Sequence, residues 1–577
     1  MLYLYSKIGG VYFLLKMSNK KKKKEVTEKL NIIPLGGVGE IGKNMFVIQY
    51  QQDIVLLDAG LMFPEDEMLG VDIVIPDITY LVENKDKIKA IILSHGHEDH
   101  IGSLPFILPK INVPIYGTRL TLGLLKIKLE EAGLLGQASL NEIKAGDDLS
   151  VGAFDLNFFT TNHSIPDSVG IILKTPVGNI VYTSDYKFDH TPVDGKIVDF
   201  NALAEIGREG VLVALMDSTN AERTGYTHSE TEVGENLNKI FLAAEGRIII
   251  VTFASNVHRI QQIINAAASA GRKVVVDGWS MVNVVAIAQE LGYLDIPPAT
   301  LIDLEELKRH PQNQVVILTT GTQGEPMSAL ARLANANHRK LEINQGDTVV
   351  IAATPIPGNE KLVSRTINNL YKRGAQVHYE AIAGVHVSGH GGQEDIKLML
   401  NLLRPQYLIP VHGEYRHLIH HGKLGEKMGI KKENIFIVEN GTAMEFAPAQ
   451  GRIAAPVQCG VVYVDGLGVG DVGSVVLRDR QVLSRDGIFI IFMTIDTKQM
   501  RILSGPDIVS RGFVYIKESE ELLEEARGNV TLVLEKLLEK KIADWPTIKT
   551  NIKESVGKFL WEKTGRRPMI LPVIMEI

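Results

Sequence analysis

The chain has 577 residues, 45% of them apolar and 22% charged, the composition of a soluble globular protein long enough for several domains. A net charge of −7 excludes a uniformly basic nucleic-acid coat, although an acidic body can still carry a local basic channel. The single cysteine, Cys459, excludes an intramolecular disulfide and fits a reducing cytoplasm, and no apolar run approaches the roughly 20 residues that span a bilayer.

Residues 11–15 are apolar but short, and no small-residue cleavage pattern follows them. Met17 offers a second start, so residues 1–16 read as an upstream-start extension and residues 1–26 as a disordered one. Lysines 20–24 read as a solvated arm, with RNA contact the lesser reading. Residues 44–48 and 54–57 predict paired strands around a Gln/Asp turn. That assignment disposes of a false signal just before them. Gly37-Val38-Gly39-Glu40-Ile41-Gly42 fits the dinucleotide fingerprint, but the fingerprint requires a helix next, and a strand is predicted instead. These glycines therefore read as tight-turn residues.

Residues 89–93 predict a buried strand that runs into Ser94-His95-Gly96-His97-Glu98-Asp99-His100. Solvated polar residues at a strand end are the bland reading, but so dense a run of imidazoles and carboxylates suits zinc or manganese. His95 and His97 can reach one ion, Asp99 and His100 a second. Strands predicted at 155–159, 179–182 and 407–411 lead to His163, Asp185 and His412. In an α/β sheet such strand ends share an edge, where ligand sites form. One ion would take His95, His97 and His163, the other Asp99, His100 and His412, with Asp185 as the natural bridge. Any one of the later three alone would be an ordinary core or turn residue; their common placement argues otherwise.

From about residue 228 the rhythm changes. Strands at 247–251, 273–276, 315–318 and 348–352 alternate with helices at 257–270 and 281–291, which predicts a parallel sheet. Phe253-Ala254-Ser255-Asn256-Val257 ends a strand and opens a helix, where free amides and hydroxyls can meet a phosphate, though ordinary capping explains Ser255 and Asn256 equally well. After about Gly470 a small unit follows, with strands predicted near 473–477 and 488–493 and a charged amphipathic helix over 520–541.

Together these motifs resemble the metallo-β-lactamase superfamily, more narrowly the β-CASP nucleases, and most closely bacterial ribonuclease J, from about residue 31 to 577. The superfamily's paired-metal motif matches residues 95–100, its later ligands match His163, Asp185 and His412, and its first motif matches Asp58. The β-CASP motifs match Asp217 in Asp217-Ser218-Thr219-Asn220 and His390 in His386-Val387-Ser388-Gly389-His390. No ligand departs from the pattern. The resemblance implies an α/β fold: a metallo-β-lactamase αββα sandwich over 27–227 and 383–470, a β-CASP α/β insert over 228–382, and a C-terminal α+β oligomerisation domain over 471–577.

The resemblance also implies roles. Two divalent ions, zinc first and manganese as the alternative, would serve RNA hydrolysis, with His390 at the leaving group, Asp217 orienting it, Asp99 at the reaction centre and Asp58 behind the ligands. Ser255, Asn256 and Val257 with His386, Val387, Ser388, Gly389 and His390 would bind substrate nucleotides. Asp465 with the carbonyls of Leu69 and Val71 would hold a structural calcium, against a plain turn aspartate. The implied activity is that of an endonuclease and 5′→3′ exonuclease in mRNA decay and rRNA maturation. It would act in the cytoplasm on single-stranded RNA with a preferred 5′-monophosphate. The expected partners are a homodimer or homotetramer, or a second ribonuclease J paralogue, and no membrane. A small-molecule hydrolase of thioesters or lactams and a non-catalytic scaffold are the alternatives.

Overall fold

The computed structural model describes residues 6–8, 11–13, 29–322, 328–355, 359–448, 450–514, 520–542 and 544–577. Most of the segment 1–26, read above as disordered, lies outside the described residues; within it Ser6–Ile8 pairs antiparallel with Val11–Phe13.

Two sheets of eight and six strands face each other. Their strands are apolar on both sides because both faces are covered. In the strand Met45–Tyr50, Phe46 and Ile48 point into the core between the sheets, where they meet Leu156, Ile171 and Tyr182 of the second sheet. The alternate residues Met45 and Val47 pack with Leu104, Ile107 and Leu125 from the outer helices. The second sheet repeats the arrangement: Val181, Ala214 and Leu408 turn outward onto Leu203 and Ile206 of the helix Phe200–Glu209 and Met399 of the helix Gln393–Leu403. The result is an αββα sandwich. Each fully buried Leu or Ile contributes roughly 1.5–3 kcal/mol.

Strand direction positions the site. Asp53–Leu57 and Ile88–Ile92 run parallel in one sheet, and Gly178–Tyr182, Val211–Asp217 and Tyr407–Val411 run parallel in the other. Their C-terminal ends therefore open onto one edge, and they deliver Asp58, the 94–100 run, Asp185, Asp217 and His412 to it. Asp58, Ser184 and His412 turn off their strands with φ of 61°, 52° and 52°. Left-handed backbone at non-glycine residues costs about 1–3 kcal/mol each, strain that clusters at working sites. As expected, the glycine-rich turn at 37–42 leads into a strand, and Gly37, Gly39 and Gly42 all have positive φ.

The insert is a five-stranded, wholly parallel sheet in the order Lys273–Val276, Val315–Thr319, Ile248–Val251, Thr348–Ile351, Gln376–Tyr379. The expected helices are Val257–Ser269 and Trp279–Glu290. The second crosses onto the helix Arg119–Glu131, where Ile287 and Leu291 cover Gly123.

The C-terminal unit packs the helices Glu520–Glu539 and Trp545–Thr564 on one face of a three-stranded sheet centred on Ile488–Asp496. One expectation fails here. Residues 473–477 are not a strand; Ser474–Asp486 is a helix. The Val475-Val476-Leu477 run mimics a strand, yet only Leu477 is buried, against Val71 and Val74, while a charged stretch and Gly487 at φ 74° complete and stop a helix.

Candidate metal centre

Asp58 is the anchor. It is fully buried, and its carboxylate accepts from the Ser94 amide at 2.8 Å, the Ser94 hydroxyl at 2.9 Å, the Tyr182 hydroxyl at 2.8 Å and His100 Nδ1 at 2.7 Å. That last bond turns His100 Nε2 inward. The same device recurs at three other histidines. His95 Nδ1 donates to Ser94 Oγ at 3.0 Å, and His163 Nδ1 donates to the Gly389 carbonyl at 2.8 Å. His412 Nδ1 meets Thr219 Oγ1 at 2.6 Å, and that hydroxyl donates on to Asp217 at 2.8 Å. Fixing one ring nitrogen sets the tautomer and aims the other. His97 alone presents Nδ1.

The aimed atoms converge. His95 Nε2 and His163 Nε2 stand 3.0 and 3.1 Å from His97 Nδ1, and His412 Nε2 stands 3.1 Å from Asp99. Asp185 Oδ2 lies 3.3–3.8 Å from the Nε2 atoms of His100, His163, His95 and His412. Its other oxygen, Oδ1, is buried without a hydrogen-bond partner among the described residues. Two donor groups result, His95/His97/His163/Asp185 and Asp99/His100/Asp185/His412, each with ligand atoms within 4.8 Å of one another. Facing lone pairs and an orphaned buried oxygen are what a divalent cation satisfies.

The electrostatics agree. Burial, reinforced by neighbouring imidazoles, holds His95 and His163 well below the ordinary histidine range and His97 down to about 4. Burial opposes protonation of His412 too, but Asp185, the hydrogen bond to Asp99 and Asp217 push it up to about 9. Against the same burial penalty, Asp185, Asp99 and Asp58 raise His100. Without metal, the buried carboxylates thus hold protons on two of their histidines, and metal binding displaces such protons.

His390 stands over this cluster, its ring 4.9 Å from that of His163 and 5.3 Å from that of His412. Its Nδ1 lies 2.8 Å from Asp217 Oδ2. His390, Asp185, Asp217 and His412 form a third group with metal-ligand spacing, so geometry alone offers His390 both the leaving-group and the ligand role. Asn220 fastens the 386–390 loop, donating to Ser388 Oγ and the His390 carbonyl, both at 2.8 Å. Gly389 has no alternative, because a Cβ there would lie 2.5 Å from His163 Nδ1. Asn256 caps the helix Val257–Ser269 by accepting from Arg259 N.

The calcium expectation fares differently. Arg480 donates from Nη1 to the Leu69 carbonyl at 2.8 Å and pairs through Nη2 with Asp465. A guanidinium already meets these oxygens, so the arrangement does not fit a divalent cation. Sequence reading assigned no role to Arg480, Thr219, Tyr182 or Asn220, because each acts through a partner remote in the chain.

Four family models match this chain: the metallo-beta-lactamase superfamily over residues 38–221, the ribonuclease J beta-CASP domain over 245–370, the Zn-dependent metallo-hydrolase RNA specificity domain over 374–438 and the ribonuclease J C-terminal domain over 475–577. Ribonuclease J2 of Bacillus subtilis is 48% identical over 555 residues, 96% of this chain and 100% of its own. The chain belongs to the ribonuclease J family. Ribonuclease J 1 of Streptococcus pyogenes is 45% identical, covering 95% of this chain and 98% of its own, and ribonuclease J 2 of Staphylococcus aureus is 43% identical, covering 97% and 99%. A solved Enterococcus faecalis protein of unknown function shares the fold at TM-score 0.51 and 16% identity, covering 74% of this chain and all of its own. As a ribonuclease J the protein is a metal-dependent ribonuclease, which sets aside the small-molecule hydrolase and scaffold readings. Among the described residues no helix is long and apolar enough to cross a membrane.

Proposed function

We propose that this ribonuclease J cuts single-stranded RNA both internally and in the 5′→3′ direction from the 5′ end, leaving 5′-phosphate and 3′-hydroxyl ends, in cytoplasmic mRNA decay and rRNA maturation. The observation that carries the reading is the meeting of five histidines and Asp99 around Asp185, with the His390–Asp217 pair beside them. His95, His97 and His163 would hold one divalent ion, Asp99, His100 and His412 the other, with Asp185 shared. The nitrogen-rich donor set favours zinc, with manganese the alternative. Bound there, such ions supply water activated at neutral pH and neutralise phosphodiester charge. His390, held by Asp217, gives a proton to the departing 3′ oxygen. Asp58 keeps His100 and the Ser94 turn in place.

The 5′ end is received by Ser255, Asn256 and Val257 with the loop from His386 to His390. A pocket that closes around one phosphate excludes a longer group. Exonuclease attack is therefore expected to run at least about tenfold faster on 5′-monophosphorylated than on triphosphorylated RNA, a difference of one or two lost hydrogen bonds. Incubation of matched labelled RNAs with and without chelator measures both metal dependence and end preference. Equal rates on the two ends, or full activity in chelator, would defeat the reading.

Self-association as a homodimer or homotetramer, or with a second ribonuclease J paralogue, is assigned to the C-terminal unit. The sheet face opposite its helices is apolar and partly bare: Ile490 lies between Val509 and Leu571, which are 39% and 43% exposed. Such a face is usually covered by a partner. Truncation after Gly470 is expected to lower the number of subunits per particle seen by light scattering and to weaken RNA cleavage. An unchanged number of subunits with full activity would refute the assignment.

A further inference from the structure

Arg259 is completely buried, one turn into the helix that Asn256 caps. A guanidinium has five N–H donors in a rigid fork, and here each finds an acceptor. Nε and Nη2 reach the two carboxylate oxygens of Glu230 at 2.8 and 2.7 Å. Nη1 reaches the Ala352 carbonyl at 2.7 Å and His386 Nδ1 at 2.8 Å, and Nη2 reaches the Val387 carbonyl at 3.5 Å. One side chain thus ties together the helix behind Ser255 and Asn256, a strand end of the inserted sheet, and the start of the 386–390 loop.

The imidazole is the informative acceptor. Arginine cannot accept a hydrogen bond, so His386 Nδ1 must bring a lone pair and the ring proton must sit on Nε2. No described residue takes a hydrogen bond from Nε2, and the ring remains partly exposed. We infer that Arg259 is a positioning residue for RNA binding: it fixes His386 in the Nε2–H tautomer, as a neutral donor to the 5′-phosphate of the RNA, and locks the two phosphate-binding loops to each other. The inference rests on the reading that the 386–390 loop receives that phosphate.

Charge supports the geometry. Burial first, then the cations Arg259, Arg223 and Lys187, hold the His386 imidazole down to about 2. The two carboxylates nearby are both engaged, Glu230 by Arg259 and Asp189 by Lys187 at 3.5 Å and the Glu230 amide at 3.1 Å. His386 therefore stays a neutral donor throughout the working pH range. It reads the phosphate by direction rather than by charge. Without Arg259 the ring would be free to exchange tautomers, while burial, Arg223 and Lys187 would still hold it below the ordinary histidine range.

The test pairs Arg259→Met with Glu230→Gln, so that no lone charge is left buried, and measures kcat and KM on 5′-monophosphorylated RNA in the wild-type and His386→Gln backgrounds. In the wild-type background KM is expected to rise about tenfold with little change in kcat, as for the loss of one hydrogen bond to a charged group. In the His386→Gln background, where an amide N–H stands in for Nε2–H and has no tautomer to fix, the same pair should raise KM much less. A rise in KM of equal size in both backgrounds, or no rise at all, would overturn the Arg259 assignment while leaving the loop's phosphate role intact. His386→Ala with unchanged KM would overturn that role and, with it, the inference.

Discussion

Asp185→Asn is expected to abolish RNA cleavage in a protein that still folds. Losing a residue behind a metal ligand typically costs 10–100-fold in activity or affinity, and Asp185 touches the donors of both metal groups, so a loss beyond about 100-fold follows. The reasoning is geometric. Asp185 Oδ2 is the atom around which the Nε2 atoms of His95, His100, His163 and His412 gather, and Oδ1 is buried with no hydrogen-bond partner among the described residues. An amide in the same place offers one oxygen of lower charge, and its N–H pair would compete for the imidazole lone pairs that the ions need. Both ions should be lost or weakened together, whereas a ligand to one group only, such as His97, should release one. Metal content by atomic emission on the purified variant, with circular dichroism and labelled-RNA turnover, measures each part. Native-like turnover with two ions retained would show that Asp185 does not bridge the groups.

Much of this site was legible because a metal centre advertises itself in composition. Imidazoles and carboxylates packed into residues 95–100 are rare as surface residues, and His163, Asp185 and His412 each follow an apolar run that could be read as a strand. Parallel strands then do the assembly, since their C-terminal ends share an edge. What stayed hidden were groups whose chemistry is ordinary and whose partners are distant. Thr219 linking His412 to Asp217, the Gly389 carbonyl receiving His163, and Tyr182 reaching Asp58 have no local signature. Arg480 and Arg259 are hidden for the same reason: an arginine reads as surface until its acceptors are in view. The helix Ser474–Asp486 was misread because three consecutive apolar residues carry no period, and the deciding signals were the charge-rich turns after them and Gly487.

His390→Ala is expected to slow cleavage by about 10²–10⁴-fold, the usual contribution of a positioned acid or base, with both ions still bound. Its Nδ1 is committed to Asp217 Oδ2 at 2.8 Å, and Asp217 is itself braced by the Thr219 amide and hydroxyl at 2.9 and 2.8 Å. Burial opposes protonation of His390, yet Asp217 and Asp185 raise its pKa, so the ring is poised to carry a proton that a departing oxygen can take. The sign of the pH effect follows. Raising the pH through that elevated pKa removes the proton, and the wild-type rate should fall on the alkaline side while the variant, having no such proton, loses that limb. Asp217→Asn should shift the limb to lower pH, because the carboxylate that lifts His390 is gone. The same geometry also suits a ligand role: His390, Asp185, Asp217 and His412 have the spacing to hold an ion. Metal analysis separates the two. Two ions retained with the alkaline limb lost identifies His390 as the proton donor; one ion lost together with activity makes it a ligand.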